Sequence, residues 1–199
     1  MPDSLAPSAV KPLLRGRFGQ IYRYEERTPS TQRLFEPDDP EGTVAVAEEQ
    51  TEGRGRLGRT WEAPPGTSVL ASVLLLPVVE GPRLPELSLI AGGAVAQAIT
   101  RVTGIEPSIK FPNDVLIRSR KVAGILAESS EGRVVLGIGV NVNQTLDELP
   151  LNTQTEPTSL SLELHGSVNR AQLLAEILFQ LERAYDAWLA GATGTSASD

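Results

Sequence analysis

The chain has 199 residues, 40% apolar and 22% charged, enough for one globular domain with its own core. Its net charge of −7 argues against broad, nonspecific binding to nucleic acid or to an anionic membrane, so any polyanion it holds is small and locally enclosed. With no cysteine and one histidine, His165, it can form neither disulfides nor a Cys/His zinc site, which leaves room only for a metal held by oxygens and phosphates.

No run reaches the roughly 18 apolar residues of a membrane span, and the opening "MPDSLAPSAVKPLLRGRFGQ" lacks the apolar stretch of a secretory signal. The sequence therefore reads as cytoplasmic, with no membrane partner. Residues 1–19, carrying Pro2, Pro7 and Pro12, read as a loosely ordered lead-in. "QIYRYEE" (20–26) predicts a short strand, followed by the turn-like "RTPSTQ", in which Ser30 and Thr31 can cap a helical turn. The acidic "EPDDPEG" (36–42) reads as a solvated loop. "EGTVAVAEEQ" (41–50) predicts a buried strand with Val44 and Val46 on one face. "TSVLASVLLLP" (67–77) predicts a central strand that Pro77 stops.

Residues 84–104 predict a helix that Pro85 and Glu86 open and Gly104 closes. Its Gly92–Gly93 pair costs helix stability and suits close packing on a sheet. Three strands follow, 107–111, 115–118 and 121–130, joined as hairpins by turns at "PND" and "SR"; "RVVLGIGVNVN" (133–143) adds another through an "EG" turn. After a polar loop at 144–159, apolar residues at helical spacing from Leu173 to Trp188 predict a last helix over 169–190, with Asn169 as its cap and Trp188 in the core. His165, in "LHG", reads as a surface residue, and 191–199 as a disordered tail. This order of elements predicts an α+β domain, a mixed, mostly antiparallel sheet with helices packed on one face.

Three segments carry chemistry. Residues 53–59 hold three glycines and three arginines and lead to Trp61. Glycine lets backbone approach a ligand closely, and Arg54, Arg56 and Arg59 are permanently charged forked donors suited to phosphate oxygens. Mutual repulsion should keep this loop open until an anion gathers the guanidiniums, with Trp61 then covering the site. A solvated surface loop is the plainer reading; an RG-type nucleic-acid contact has too few stacking aromatics beside it. In "IKFPNDVLIRSRKVAGILAE" (109–128), Lys110 and Lys121 can meet at one end of the sheet if the hairpin returns on itself, where they would stabilise an oxyanion or phosphate; two solvated lysines flanking a turn fit equally well. "GIGVN" (137–141) lacks the third glycine and the helix of a dinucleotide fingerprint, so its glycines mark close approach of a ligand or of another backbone.

Taken together, "STQ" (30–32), "EEQTEGRGRLGRTW" (48–61), "KFPND" (110–114), "KVAGILAE" (121–128) and "GIGVN" (137–141) resemble the catalytic domain of biotin protein ligases in order and spacing, over residues 20–190. The resemblance implies a class II synthetase-like biotin/lipoate ligase fold and a two-step reaction. In the first step ATP and biotin give biotinyl-5′-AMP, with Mg2+ held mainly through phosphates and no metal site of the protein's own. In the second, biotin passes to a lysine of a biotin carboxyl-carrier domain. It further implies that Ser30, Thr31, Gln32 and Gln50 meet the ureido ring and that Gly124, Gly137 and Gly139 floor the biotin pocket, with Gly55 beside it. Arg54 and Arg56 would hold carboxylate and phosphate, and Lys121 would sit where carboxylate oxygen meets phosphorus, making Lys121 and Arg54 the catalytic pair. Arg59 and Trp61 would complete the closed loop over the adenylate, Lys110, Asn113 and Asp114 would face the triphosphate, and Asn141 the adenine.

The sequence departs from the family pattern at Gln32 (usually Asn), Phe111 (usually Trp) and Leu57 (commonly polar), and its 32–42 segment is short, which truncates the helix after "STQ". The reading includes no N-terminal winged helix, hence no DNA partner, and no C-terminal SH3-like barrel. Family members pair through their sheets, so a homodimer is compatible. A lipoate or other acyl ligase of the same fold is the enzymatic alternative, against which stands the arginine loop that branch does not share. A non-catalytic biotin- or nucleotide-binding relic is the other.

Overall fold

The computed structural model describes residues 3–77, 86–151 and 153–194. Seven strands form one sheet: β1 (Tyr22–Thr28), β2 (Val44–Gln50), β3 (Ser68–Leu75), β4 (Ser108–Lys110), β5 (Asp114–Ile117), β6 (Arg120–Ser130) and β7 (Arg133–Asn141). Their order is β1-β2-β3-β7-β6-β5-β4. Only β1 and β2 run parallel; every other neighbouring pair is antiparallel. The long helices α2 (Glu86–Thr103) and α4 (Arg170–Gly194) pack on each other and on one face of the sheet, with the short α1 (Pro7–Val10) and α3 (Leu160–Leu164) at the periphery. The expected α+β class holds. Among the described residues no helix is long and apolar enough to cross a membrane.

Alternation along the strands sorts the two faces. Val69, Ala71, Val73 and Leu75 of β3 and Val134, Leu136, Ile138 and Val140 of β7 point into the core, where they meet Leu87, Ala91, Val95 and Ile99 of α2 and Leu173, Leu174, Ile177 and Leu181 of α4. Val44 and Val46 join them, in register with Val73 and Ala71. Asn169 accepts from the Gln172 backbone N–H and caps α4 as expected. Trp188 is buried and stacks on Tyr185 at 5.9 Å. His165 is exposed, in a left-handed conformation that closes α3.

Several expectations need correction. Residues 3–19 are not a loose lead-in: Leu5, Val10 and Phe18 are fully buried, and Arg17 pairs with Glu182 and Asp186 of α4. Pro7 sits in the first turn of α1, where its missing N–H costs nothing, so the prolines shape the segment rather than loosen it. The acidic loop 36–42 is tied down, with Asp39 buried against Arg23 at 2.7 Å and Glu41 accepting from the Tyr185 hydroxyl. Gly92 has ordinary van der Waals room for a Cβ beside Ile125 and Ile109, and Gly93 faces open space, so packing does not require that pair. Helix α4 continues to Gly194, past the expected start of the tail, while 195–199 and Pro85 lie outside the described residues. The five-residue α3 was not foreseen.

Candidate functional site

On the face opposite the helices, alternation aligns glycines. Gly124 of β6 lies directly across from Gly139 of β7, and Gly137 lies across from Leu126 on one side and Ser72 on the other. Three missing side chains on adjacent strands leave a hollow, the floor of a cleft of about 940 Å³. All seventeen candidate residues line it: Ser30, Thr31, Gln32, Gln50, Arg54, Gly55, Arg56, Arg59, Trp61, Lys110, Asn113, Asp114, Lys121, Gly124, Gly137, Gly139 and Asn141. The lysines that could have been two solvated neighbours of a turn face one cavity.

Lys121 reaches this face through an irregularity. Strict alternation would put Lys121 and Gly124 on opposite faces, three residues apart. The β5–β6 register shifts between Val115 and Leu116: Leu116 pairs with Lys121 but Val115 with Ala123, so Val122 is a bulged residue. Val122 and Ala123 both turn into the core, and Lys121 turns onto the glycine face, where its Nζ would lie 3.2 Å from a Cβ on Gly124. The Nζ pairs with Asp114 at 2.7 Å.

One end of the cleft is built for short, neutral hydrogen bonds. The Thr31 backbone N–H and hydroxyl both donate to Gln50 Oε1, at 2.8 and 3.1 Å, and the Thr31 hydroxyl also meets the buried Ser72 hydroxyl at 2.7 Å. Ser30 caps the single 3-10 turn Thr31–Arg33, all that remains of the helix expected to be short. Gln32 donates to the Leu126 carbonyl at 3.3 Å and stands over Gly137.

The arginine segment is folded rather than shapeless. Arg54 and Thr60 form a β-bridge, the Gly55 N–H donates to the Arg59 carbonyl at 2.8 Å and the Trp61 N–H to the Gly53 carbonyl at 2.9 Å. The expectation that repulsion holds this loop open is not met: the segment is folded, and two of its three guanidiniums, those of Arg54 and Arg56, have partners on the sheet. Arg54 pairs with Glu128 and also donates to Gln32 Oε1, while Arg56 donates to Asn113 Oδ1 at 3.3 Å. Trp61 lies flat on the floor: a Cβ on Gly139 would come within 2.5 Å of its Cε2, and one on Gly124 within 2.9 Å of its Cζ3. Lys121 Nζ is 5.6 Å from the Trp61 ring centroid.

At the other end Lys110 donates to Thr155 at 2.9 Å, and Asn141 donates to the Thr158 carbonyl at 3.0 Å and accepts from Gln144. Five cationic side chains (Arg54, Arg56, Arg59, Lys110, Lys121) against two carboxylates (Glu62, Asp114) line the cleft of a protein whose net charge is −7. Concentrated positive charge in an acidic chain, beside a neutral polar end, suits a ligand with one anionic and one uncharged polar part. Among the described residues no three His, Asp or Glu side chains converge as a metal site.

Sequence reasoning missed Glu128 and the segment 150–155. Glu128 was legible, since it follows Gly124 and Leu126 at period two on the glycine face. Residues 150–151 and 153–155, which line the cleft, belong to a polar stretch with no periodicity to mark them.

A seven-stranded sheet with a helical back and a cationic, glycine-floored front has the shape and charge to suit an anionic ligand. The chain belongs to the Biotin/lipoate A/B protein ligase family, whose match covers residues 24–144. It is 38% identical over 194 positions to the bifunctional ligase/repressor BirA of Bacillus subtilis, covering 92% of this chain and 60% of the relative. It is 38% identical over 157 positions to the biotin–[acetyl-CoA-carboxylase] ligase of Mycobacterium tuberculosis, covering 75% of this chain and 56% of that one. It thus spans about three-fifths of these relatives' lengths. The structure of the biotin protein ligase of Aquifex aeolicus in complex with biotin and ATP superposes with a TM-score of 0.78 at 34% identity, over 86% of this chain and 72% of that one.

Proposed function

We propose that this protein joins biotin to ATP to form biotinyl-5′-AMP and then transfers the biotinyl group to a lysine of a carboxyl-carrier domain. In the first step a biotin carboxylate oxygen attacks the α-phosphorus and pyrophosphate leaves. In the second the acceptor amine attacks the acyl carbon, AMP departs and the amine loses a proton. The observation that carries this reading is the two-ended cleft: neutral hydrogen-bonding groups at Ser30, Thr31, Gln32 and Gln50, and cations at Arg54, Arg56, Arg59, Lys110 and Lys121, over one glycine floor.

The neutral groups supply the mixed donors and acceptors a cyclic urea requires. The bicyclic ring rests on Gly124, Gly137 and Gly139, which requires Trp61 to rise from the floor and lie over the ligand. Gly55 brings its backbone close to the ring, and Arg54 and Arg56 leave Glu128 and Asn113 for carboxylate and phosphate. Lys121 leaves Asp114 and offsets charge developing on the α-phosphate, with Arg59 adding to the same field; positioned cations are what phosphoryl chemistry needs most. Lys110, Asn113 and Asp114 face the triphosphate, and Asn141 the adenine. With two carboxylates in the cleft, Mg2+ fits as part of MgATP, held mainly by phosphate oxygens. The folded arginine segment keeps water from the anhydride.

A dithiolane acyl group such as lipoate would leave the hydroxyl and amide groups at the neutral end unpaired, which disfavours it there. The Bacillus relative is also a repressor; the proposal for this acidic chain includes no DNA contact. ATP as substrate suits the cytoplasm. The test is biotin-dependent pyrophosphate release. The wild type should turn over and Lys121→Ala should lose at least about 100-fold, as expected when a preorganised charge is removed. Near-normal turnover by that variant, or biotin binding without any ATP-dependent product, would defeat the proposal.

A further inference from the structure

Glu163 is a buried carboxylate that takes no part in the cleft. Its side chain is 1% exposed, it does not line the cavity, and it pairs with Arg120 at 2.7 Å and with Arg118 at 3.7 Å. Its Oε1 also accepts from the Thr158 hydroxyl at 2.6 Å, while Oε2 has no hydrogen bond. Burying a carboxylate is costly unless well-placed cations and hydrogen bonds offset its lost hydration. What this one enforces is legible in the neighbouring main chain. The Lys121 N–H donates to the Glu156 carbonyl at 2.7 Å, the Thr158 N–H donates to the Lys121 carbonyl at 2.8 Å, and Lys121 pairs with Pro157 as an isolated parallel bridge. Both backbone hydrogen-bonding groups of Lys121 are therefore taken by the strap 156–158.

The strap is needed there because the regular sheet has stopped. Pairing between β6 and β7 begins only at Ala123, and the Val122 bulge breaks the ladder on the β5 side. Lys121 sits beyond the reach of β7, and it pairs with Leu116 of β5 on the far side of the register shift. Glu163 grips both sides of the gap: Arg120 immediately precedes Lys121, and Thr158 bonds its carbonyl. The Thr158 carbonyl in turn accepts from Asn141 at the end of β7, and Thr155 accepts from Lys110.

We propose that Glu163 and Thr158 are positioning residues for Lys121, clamping the strap so that the ammonium group is held over the reacting oxygen and phosphorus. The inference rests on the ligase reading above and concerns residues that touch neither substrate. Misplacement of a catalytic group by about 1 Å costs on the order of 100-fold in rate, so loosening the clamp acts on turnover and spares ground-state binding.

The test is steady-state pyrophosphate release, with biotin affinity by calorimetry and a thermal melt as the check on folding. Thr158→Val, which keeps shape and loses the hydroxyl, should lower kcat about 10-fold or more, with biotin KM and Kd within about twofold of wild type. Thr158→Ser should restore most of kcat. Glu163→Gln keeps an acceptor for Thr158, removes the pairing with Arg120, and should reproduce the loss in part; it serves if Thr158→Val does not fold. Folded Thr158→Val or Glu163→Gln enzyme with wild-type kcat overturns the proposal. So does an equal loss in Thr158→Ser, or a rise in biotin KM at unchanged kcat. A wild type that releases no pyrophosphate defeats the ligase reading and this inference with it, whereas an active wild type matched by its clamp variants defeats this inference alone.

Discussion

Gly139→Ala tests the glycine floor with one methyl group. The backbone of Gly139 is not among the positive-φ glycines and pairs regularly with Leu70 and Gly124, so alanine fits the strand. Relief of glycine's entropy cost should leave folding stability unchanged or raise it by about 0.5–1 kcal/mol. The cleft responds in the opposite sense. The new Cβ would lie 2.5 Å from Trp61 Cε2 and 2.7 Å from Cζ2, whereas carbon atoms in contact rest about 3.5–4.0 Å apart, so the ring must rise by roughly 1 Å. A ligand ring taking the same floor meets the same methyl. Overpacking of this kind costs about 1–3 kcal/mol, or on the order of 5- to 150-fold in biotin Kd. Calorimetric titration with biotin beside a thermal melt separates the two effects. Weaker binding at equal or higher melting temperature is the expected pair; a Kd within twofold of wild type, with unaltered Trp61 fluorescence, would refute the glycine-floor argument.

With Trp188 in the core and Trp61 on the cleft floor as the two tryptophans, biotin should change the fluorescence of the wild type and not of Trp61→Phe; a surviving change would show that Trp61 does not meet the ligand. Glu128→Gln removes the counter-charge of Arg54, so trypsin should cut after Arg54 and Arg56 faster than in the wild type, and equal rates would mean the ion pair does not hold the segment. Leu5→Ala should cost about 2–5 kcal/mol in urea unfolding if residues 3–19 belong to the core; a loss under about 0.5 kcal/mol would return them to a surface role. Hydrogen bonds from Arg23, aided by the Glu36 backbone N–H, hold the Asp39 carboxyl below its usual range. A depressed folded pKa gives stability that is present above the unfolded value, about 3.9, and is lost as pH falls through the folded one. The melting-temperature deficit of Asp39→Asn should therefore be full at pH 7 and shrink in acid; a pH-independent deficit would contradict this assignment.

Much of the site was legible because strand alternation is a strict rule. Once β7 was read from "RVVLGIGVN", Gly137 and Gly139 had to share a face opposite Ile138, and the register with β6 needed only a short turn to bring Gly124 across. Lys121 was assigned to that face by resemblance alone, since period two from Gly124 contradicts it. The Val122 bulge that resolves the conflict leaves no mark in a run of small apolar residues. The order of residues 3–19 is hidden in the sequence because Leu5, Val10 and Phe18, three apolar residues at irregular spacing among prolines, show no period until α4 supplies the surface they cover. Repulsion within the arginine segment is offset by Glu128 and Asn113, which lie far along the chain and meet it only through the sheet.

The most direct measurement is a crystal structure with biotin and MgATP bound. The expected result is biotinyl-5′-AMP, or its two precursors, with the bicyclic ring on Gly124, Gly137 and Gly139, Trp61 lifted from Gly139, and the Arg54, Arg56 and Lys121 nitrogens within hydrogen-bonding reach of carboxylate and phosphate oxygens. A ligand bound elsewhere, or Trp61 still flat on the floor with Arg54 on Glu128 and Lys121 on Asp114, would contradict it.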